Sequence, residues 1–133
     1  MLVQNIKNFR NDRLVTGTKD GLISIWRKDP GYKSPNGDEI ELENHSIVKS
    51  FSCGGTKPLI EIVDQDIIVA SENGKLLVLD KKLNVKNEYN ETKCCNGLSA
   101  TPKYIAVGSY GDETVMFYQR NGSAKPMVRT KLR

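Results

Sequence analysis

His45 is the only imidazole in 133 residues. A catalytic or pH-sensing role would need a nucleophile and an orienting acid beside it in space. It stands instead between an acidic stretch and an apolar run, the place of an exposed polar residue where a strand begins. Cys94 and Cys95 are adjacent, and Cys53 is distant in sequence. A zinc site takes four ligands, commonly in spaced pairs, and neither a Cys-x-x-Cys nor a second histidine exists here. Successive strand residues point to opposite faces, so the two neighbouring thiols are expected in different layers. Gly54-Gly55 lacks the remainder of any phosphate loop. Asn44, Asn90 and Asn121 each open an Asn-x-Ser/Thr triplet, but residues 1–10 lack the apolar core and cleavage site of a secretory signal, none is expected, and the triplets read as coincidence. No catalytic residue, metal site or cofactor is expected, and the chain reads as a non-enzyme.

Composition agrees with a single globular domain: 38% hydrophobic and 27% charged residues, with a formal net charge of +4. No run of about eighteen apolar residues is present, so a membrane-spanning helix is not expected. Three cysteines, two of them adjacent, cannot form a disulfide framework; a reducing compartment follows, cytoplasmic or nuclear. The charge is unevenly spread. Residues 29–44 carry Asp29, Asp38, Glu39, Glu41 and Glu43 against Lys33, a local −4. Residues 120–133 carry five cations and no acid. Within them Lys125, Arg129, Lys131 and Arg133 form a basic patch that could attract phosphate backbones. Aromatic residues for base stacking are missing from that stretch, and a solvated outer strand is the plainer reading.

The elements that position these residues repeat. Residues 14–26 read LVTGTKDGLISIW and align without a gap on residues 67–79, IIVASENGKLLVL. Residues 105–118, IAVGSYGDETVMFY, align with one extra residue. Each copy is an apolar run, small residues, a polar turn and a second apolar run: a hairpin. Asp20-Gly21 and Asn73-Gly74 supply the positive φ of a tight turn, and Gly111-Asp112-Glu113 suggests a longer one. The apolar runs suit burial on both faces, as stacked sheets require. A further strand flanks each hairpin on either side: 2–9 and 46–52, 58–63 and 83–89, 94–100 and 125–132. The chain is therefore expected to be all-β, with three consecutive four-stranded antiparallel modules at about 1–53, 54–91 and 92–133, and 29–44 inserted as a loop rich in turn residues. Trp26, ending the second hairpin strand, is expected to pack between neighbouring sheets.

Four-stranded modules at about forty residues resemble the blades of a β-propeller. The segment Thr16-Gly17-Thr18-Lys19-Asp20-Gly21, with Ile25-Trp26, is similar to the WD-repeat family; copies two and three have Leu79 and Tyr118 at the Trp position. The Gly-His pair that opens such repeats is absent, so the family's His–Asp network does not form in its usual way. Residues 72–80 are also similar to blades of quinoprotein-like propellers. Propellers close with four to eight blades, and three blades of a seven-fold ring cover only about 154°. Each uncovered flank of about 500 Å² would cost on the order of 12 kcal/mol, comparable with the whole stability of a small domain. The chain is thus expected to be an incomplete propeller. Its missing blades would come from the rest of a longer protein, from a partner, or from self-association; strands that start at Met1 and stop at Arg133 favour the first.

The resemblance implies a rigid platform for peptides and domains, a non-enzymatic scaffold in an intracellular assembly. It also implies that the residue preceding each tight turn, Lys19, Glu72 and Tyr110, faces the top surface where partners dock. The insertion would emerge on the opposite face, where Tyr32 and the run from Asp38 to Glu43 form either a docking site or a surface loop. Two alternatives stand beside this: nucleic-acid or ribonucleoprotein contact through the basic C-terminal strand, and a quinoprotein-like segment. The latter needs carboxylates and an arginine converging on a cofactor, and no such cluster is legible.

Overall fold

The β-branched runs on either side of each short polar turn fold as antiparallel hairpins. Residues 3–10, 13–28, 45–89, 95–109, 114–120, 122, 126 and 128–131 are described by a computed structural model. The first sheet contains β1 (Val3–Arg10), β2 (Arg13–Thr18), β3 (Leu22–Lys28) and β4 (His45–Ser52). The second contains β5 (Leu59–Val63), β6 (Asp66–Ala70), β7 (Leu76–Leu79) and β8 (Val85–Glu88). The third contains β9 (Cys95–Ala100), β10 (Tyr104–Ser109), β11 (Thr114–Gln119) and β12 (Val128–Lys131). All three are antiparallel meanders in chain order. Their central registers, Leu14 opposite Trp26, Ile67 opposite Leu79 and Ile105 opposite Tyr118, are those of the sequence repeat.

The sheets stack as wedges. β5 touches β1 on one side and β9 on the other, so the first strand of each blade forms a common inner edge. Alternation then divides the middle blade between two cores. Ile67, Val69, Leu77 and Leu79 pack with Val15, Ile23 and Ile25 of the first blade. Ile68, Ala70, Leu76 and Val78 pack with Ile105, Val107, Met116 and Tyr118 of the third. Every residue of β6 and β7 is consequently buried, whereas β10 and β11 alternate, with Tyr104 and Phe117 exposed. Val128, opposite Phe117 in register, extends that uncovered face of the third blade. The blades do not close into a ring.

Three details differ from expectation. Trp26 is 8% exposed but lies outside the core shared with the second blade, on the opposite face of the sheet from Ile25; its indole N–H is satisfied within its own blade by Thr16 Oγ1 at 2.8 Å. β8 begins at Val85 because Asp80 accepts N–H bonds from Lys82 and Asn84 and Leu83 takes φ +63, extending the preceding turn. β12 begins at Val128, two residues beyond Pro126, which has no N–H for a ladder. Cys53 and Cys95 are buried and free of disulfides; Cys94 lies outside the described residues. His45 starts β4, and the asparagines of the three triplets lie outside the described residues.

A candidate docking face at the hairpin turns

The first two hairpins end in the same hydrogen-bonded turn. Gly21 N–H donates to Thr18 O at 2.9 Å and Gly74 N–H to Ser71 O at 3.0 Å, with φ of +92° and +91° at the glycines. The hydroxyl four residues back accepts the next N–H in both: Leu22 to Thr18 Oγ1 at 3.1 Å, and Lys75 to Ser71 Oγ at 3.1 Å. Each hydroxyl in turn donates to the side chain two residues on, Thr18 to Asp20 and Ser71 to Asn73 Oδ1 at 2.6 Å. These bonds hold the residue between them, Lys19 or Glu72, at the apex. The Thr18 hydroxyl, and then the backbone N–H of Asp20, keep the Asp20 carboxyl below its ordinary value of 3.8.

The connection from β4 to β5 runs across both turns as a strap. Cys53 N–H donates to Gly21 O at 3.0 Å, Lys57 N–H to Lys19 O at 2.9 Å, and Glu72 N–H to Thr56 O at 2.8 Å. Asn73 Nδ2 donates to Gly54 O at 3.2 Å. Contact is close enough to require glycine: a Cβ on Gly21 would stand 2.0 Å from Gly55 O, and one on Gly55 would stand 2.2 Å from Ser71 Oγ. Gly54-Gly55, empty of meaning as a nucleotide motif, is thus the piece of chain that lets one blade lie on the next.

Strap and turns border a cleft of about 740 Å³ that Lys19 and Glu72 line together with Thr18, Asp20, Leu22, Thr56 and Lys57. Lys57 Nζ pairs with Glu72 Oε2 at 3.3 Å, both about half exposed, which contributes under about 1 kcal/mol. The cleft walls are therefore fixed by backbone hydrogen bonds, while the exposed Lys19 and the weakly paired Lys57 and Glu72 are available to a ligand. Two of the four residues proposed from sequence are brought together here; Tyr110 and Tyr32 lie outside the described residues. Of the basic patch, Arg129 and Lys131 sit on β12 opposite Met116 and Thr114, and Lys125 and Arg133 lie outside the described residues. Sequence reading missed Lys57, Thr56 and both hydroxyls, although the spacing Thr/Ser-x-Asp/Asn-Gly was present in both copies as a signal.

A second set of contacts locks the middle and third blades. Tyr89 and Tyr118 meet edge to face with ring centroids 5.0 Å apart, and Tyr89 Oη donates to Gln119 O at 3.1 Å and to Arg120 O. Burial raises the Tyr89 phenol above its ordinary value. Arg120 spreads its guanidinium over Pro102 O, Val63 O, Asp66 and Asp64. Among the described residues no group of three metal-binding side chains occurs, and no helix is long and apolar enough to cross a membrane.

Neither a protein-family model nor a curated protein matches the sequence. Solved structures do match in fold. Raptor from Chaetomium thermophilum superposes with a TM-score of 0.72 at 14% identity, over 97% of this chain and 12% of that one. BBS1N, solved in complex with ARL6DN, gives 0.61 at 26% identity over 90% of this chain and 36% of its own. BamB from Moraxella catarrhalis gives 0.63 at 15% identity over 93% and 33%. The chain thus spans about a third or less of each of these β-propeller-type proteins. Uncovered flank, stacked meanders and these likenesses agree: the chain is three consecutive four-stranded blades of an incomplete β-propeller.

Proposed function

We propose that this chain is a non-enzymatic docking scaffold: a segment of a larger, WD-repeat-like propeller that holds peptides or domains in an intracellular multi-protein assembly. The observation that carries this reading is the cleft between the first two hairpin turns, where Lys19 and Glu72 meet over a backbone framework bonded across blades. Rigid walls reduce the ordering cost of binding, and side chains free of structural duty supply specificity. BBS1N, similar to this chain in fold, was solved with a protein partner. In this reading the blades comprise about 1–53, 54–91 and 92–133, and Tyr110 and Tyr32 add contacts to the docking surfaces. A mixed charge lining selects a polar and apolar peptide over a uniform polyanion.

Selection of peptides from a displayed library on the full chain tests it. Selected peptides should bind saturably, lose affinity by about tenfold or more in a Lys19→Glu, Glu72→Lys variant, and hold most of it as salt rises. Peptides that bind the charge-swapped chain equally well, or a library that yields none, would refute the reading.

A further inference from the structure

On the face opposite the two turns lies a second cavity, of about 450 Å³. β2 runs from Arg13 toward Thr18 and β7 from Leu76 toward Leu79, so the β1–β2 and β7–β8 connections share this far end. Phe9 and Ile25 give the cavity a buried apolar floor, and Val48, 54% exposed, gives it an apolar wall. Around them stand four cations: Arg13, Lys49, Lys81 and Lys82. Asp80 is near enough to feel Lys49, but its carboxylate is committed to the turn, accepting from Lys82 N–H at 2.8 Å, Asn84 N–H at 2.9 Å and Asn84 Nδ2 at 3.2 Å. Lys49, Lys81 and Lys82 form no ion pair with a described carboxylate. The top cleft differs, because there Lys57 already faces Glu72.

We infer that this cavity is a second docking site, one that takes an acidic peptide of a partner protein, with carboxylates on the lysines and one apolar side chain between Phe9, Ile25 and Val48. Three lysines, Lys49, Lys81 and Lys82, without an ion pair to a described carboxylate and gathered round an apolar floor, are complementary to that ligand and to few others. Single-stranded nucleic acid fits less well: stacking needs an open aromatic face, and the one aromatic here, Phe9, is only 9% exposed. The competing occupant is the chain's own acidic stretch 29–44, since β3 ends at Lys28 and β4 starts at His45 at this same end.

The experiment is fluorescence anisotropy of a labelled peptide of glutamates around a central leucine, titrated with the full chain. Saturable binding is expected, weakened about tenfold or more by Lys49→Glu with Lys82→Glu and unchanged by Lys19→Glu, which touches only the top cleft. Lys49→Gln with Lys82→Gln repeats the test without charge reversal, and an unaltered circular dichroism spectrum confirms folding of each variant. Equal binding to the lysine variants would overturn the proposal. So would tighter binding of a single-stranded DNA oligomer at the same site, or peptide binding that appears only after 29–44 is replaced by a Gly-Ser linker.

Discussion

Arg120 Nη1 stands 3.0 Å from Asp66 Oδ2, with both side chains over nine-tenths buried, and so ties the end of β11 to the start of β6 across a blade boundary. The same guanidinium reaches Asp64 at 3.1 Å and two main-chain carbonyls, and Lys86 neutralises Asp66 from the solvent side at 2.9 Å. A planar fork with five donors suits this many-sided junction. Arg120→Ala should cost about 3–5 kcal/mol by leaving Asp66 buried with one exposed partner. Lys86→Ala should cost under about 1 kcal/mol. Urea unfolding of both variants measures the contrast.

The strap predicts a graded glycine series. Gly21→Ala combines positive φ with a Cβ 2.0 Å from Gly55 O and should lose at least about 3 kcal/mol. Gly54→Ala has φ +75 but meets only Lys75 Cε at 3.8 Å, so about 1–2 kcal/mol of backbone strain is expected. Equal losses in thermal unfolding would mean that the close approach is not what selects glycine.

Acid should loosen the first hairpin turn more than the second. The Asp20 carboxyl is held below 3.8, so its contribution is complete above that value and disappears as pH falls through the lower folded one. Asn73, its counterpart in the second blade, does not titrate there. Asp20→Asn should keep the turn and make the acid limb of a stability–pH curve shallower, leaving the part that comes from Asp80; an unchanged limb would contradict this.

At the alkaline end the sign reverses. Burial raises the Tyr89 phenol, so its contribution is complete below about 10 and is lost as pH climbs through the higher folded value. Ultraviolet titration should show a late-ionising component, and Tyr89→Phe should reduce it by the Tyr89 share.

The face of Tyr104, Phe117 and Val128 has no covering blade among the described residues. The isolated chain should associate with concentration in light scattering, and Phe117→Glu should shift it toward the 14.9 kDa monomer. A monodisperse, stable wild-type monomer would show that the flank needs no cover.

Blade architecture was legible because a hairpin advertises itself locally: an apolar run, Asp-Gly or Asn-Gly, and another apolar run suffice to fix strand, turn and register. The two-residue turn at Asp64-Gln65 was not, since both residues take positive φ without the glycine that signals it. Two of the three residues proposed for the top surface could be placed, because Lys19 and Glu72 occupy repeat positions whose backbone the turn chemistry dictates.

Sequence alone thus determined the all-β class, the threefold repeat, the open arc and the absence of a recognisable catalytic or metal motif, all of which rest on periodicity and short-range chemistry. Tertiary structure alone decided which residues from different blades meet: Gly21 against Gly55, Arg120 on Asp66, Lys49 and Lys82 on one cavity. Those meetings depend on how twisted sheets stack, through packing between residues tens of positions apart, and no local pattern encodes the angle at which one blade lies on the next.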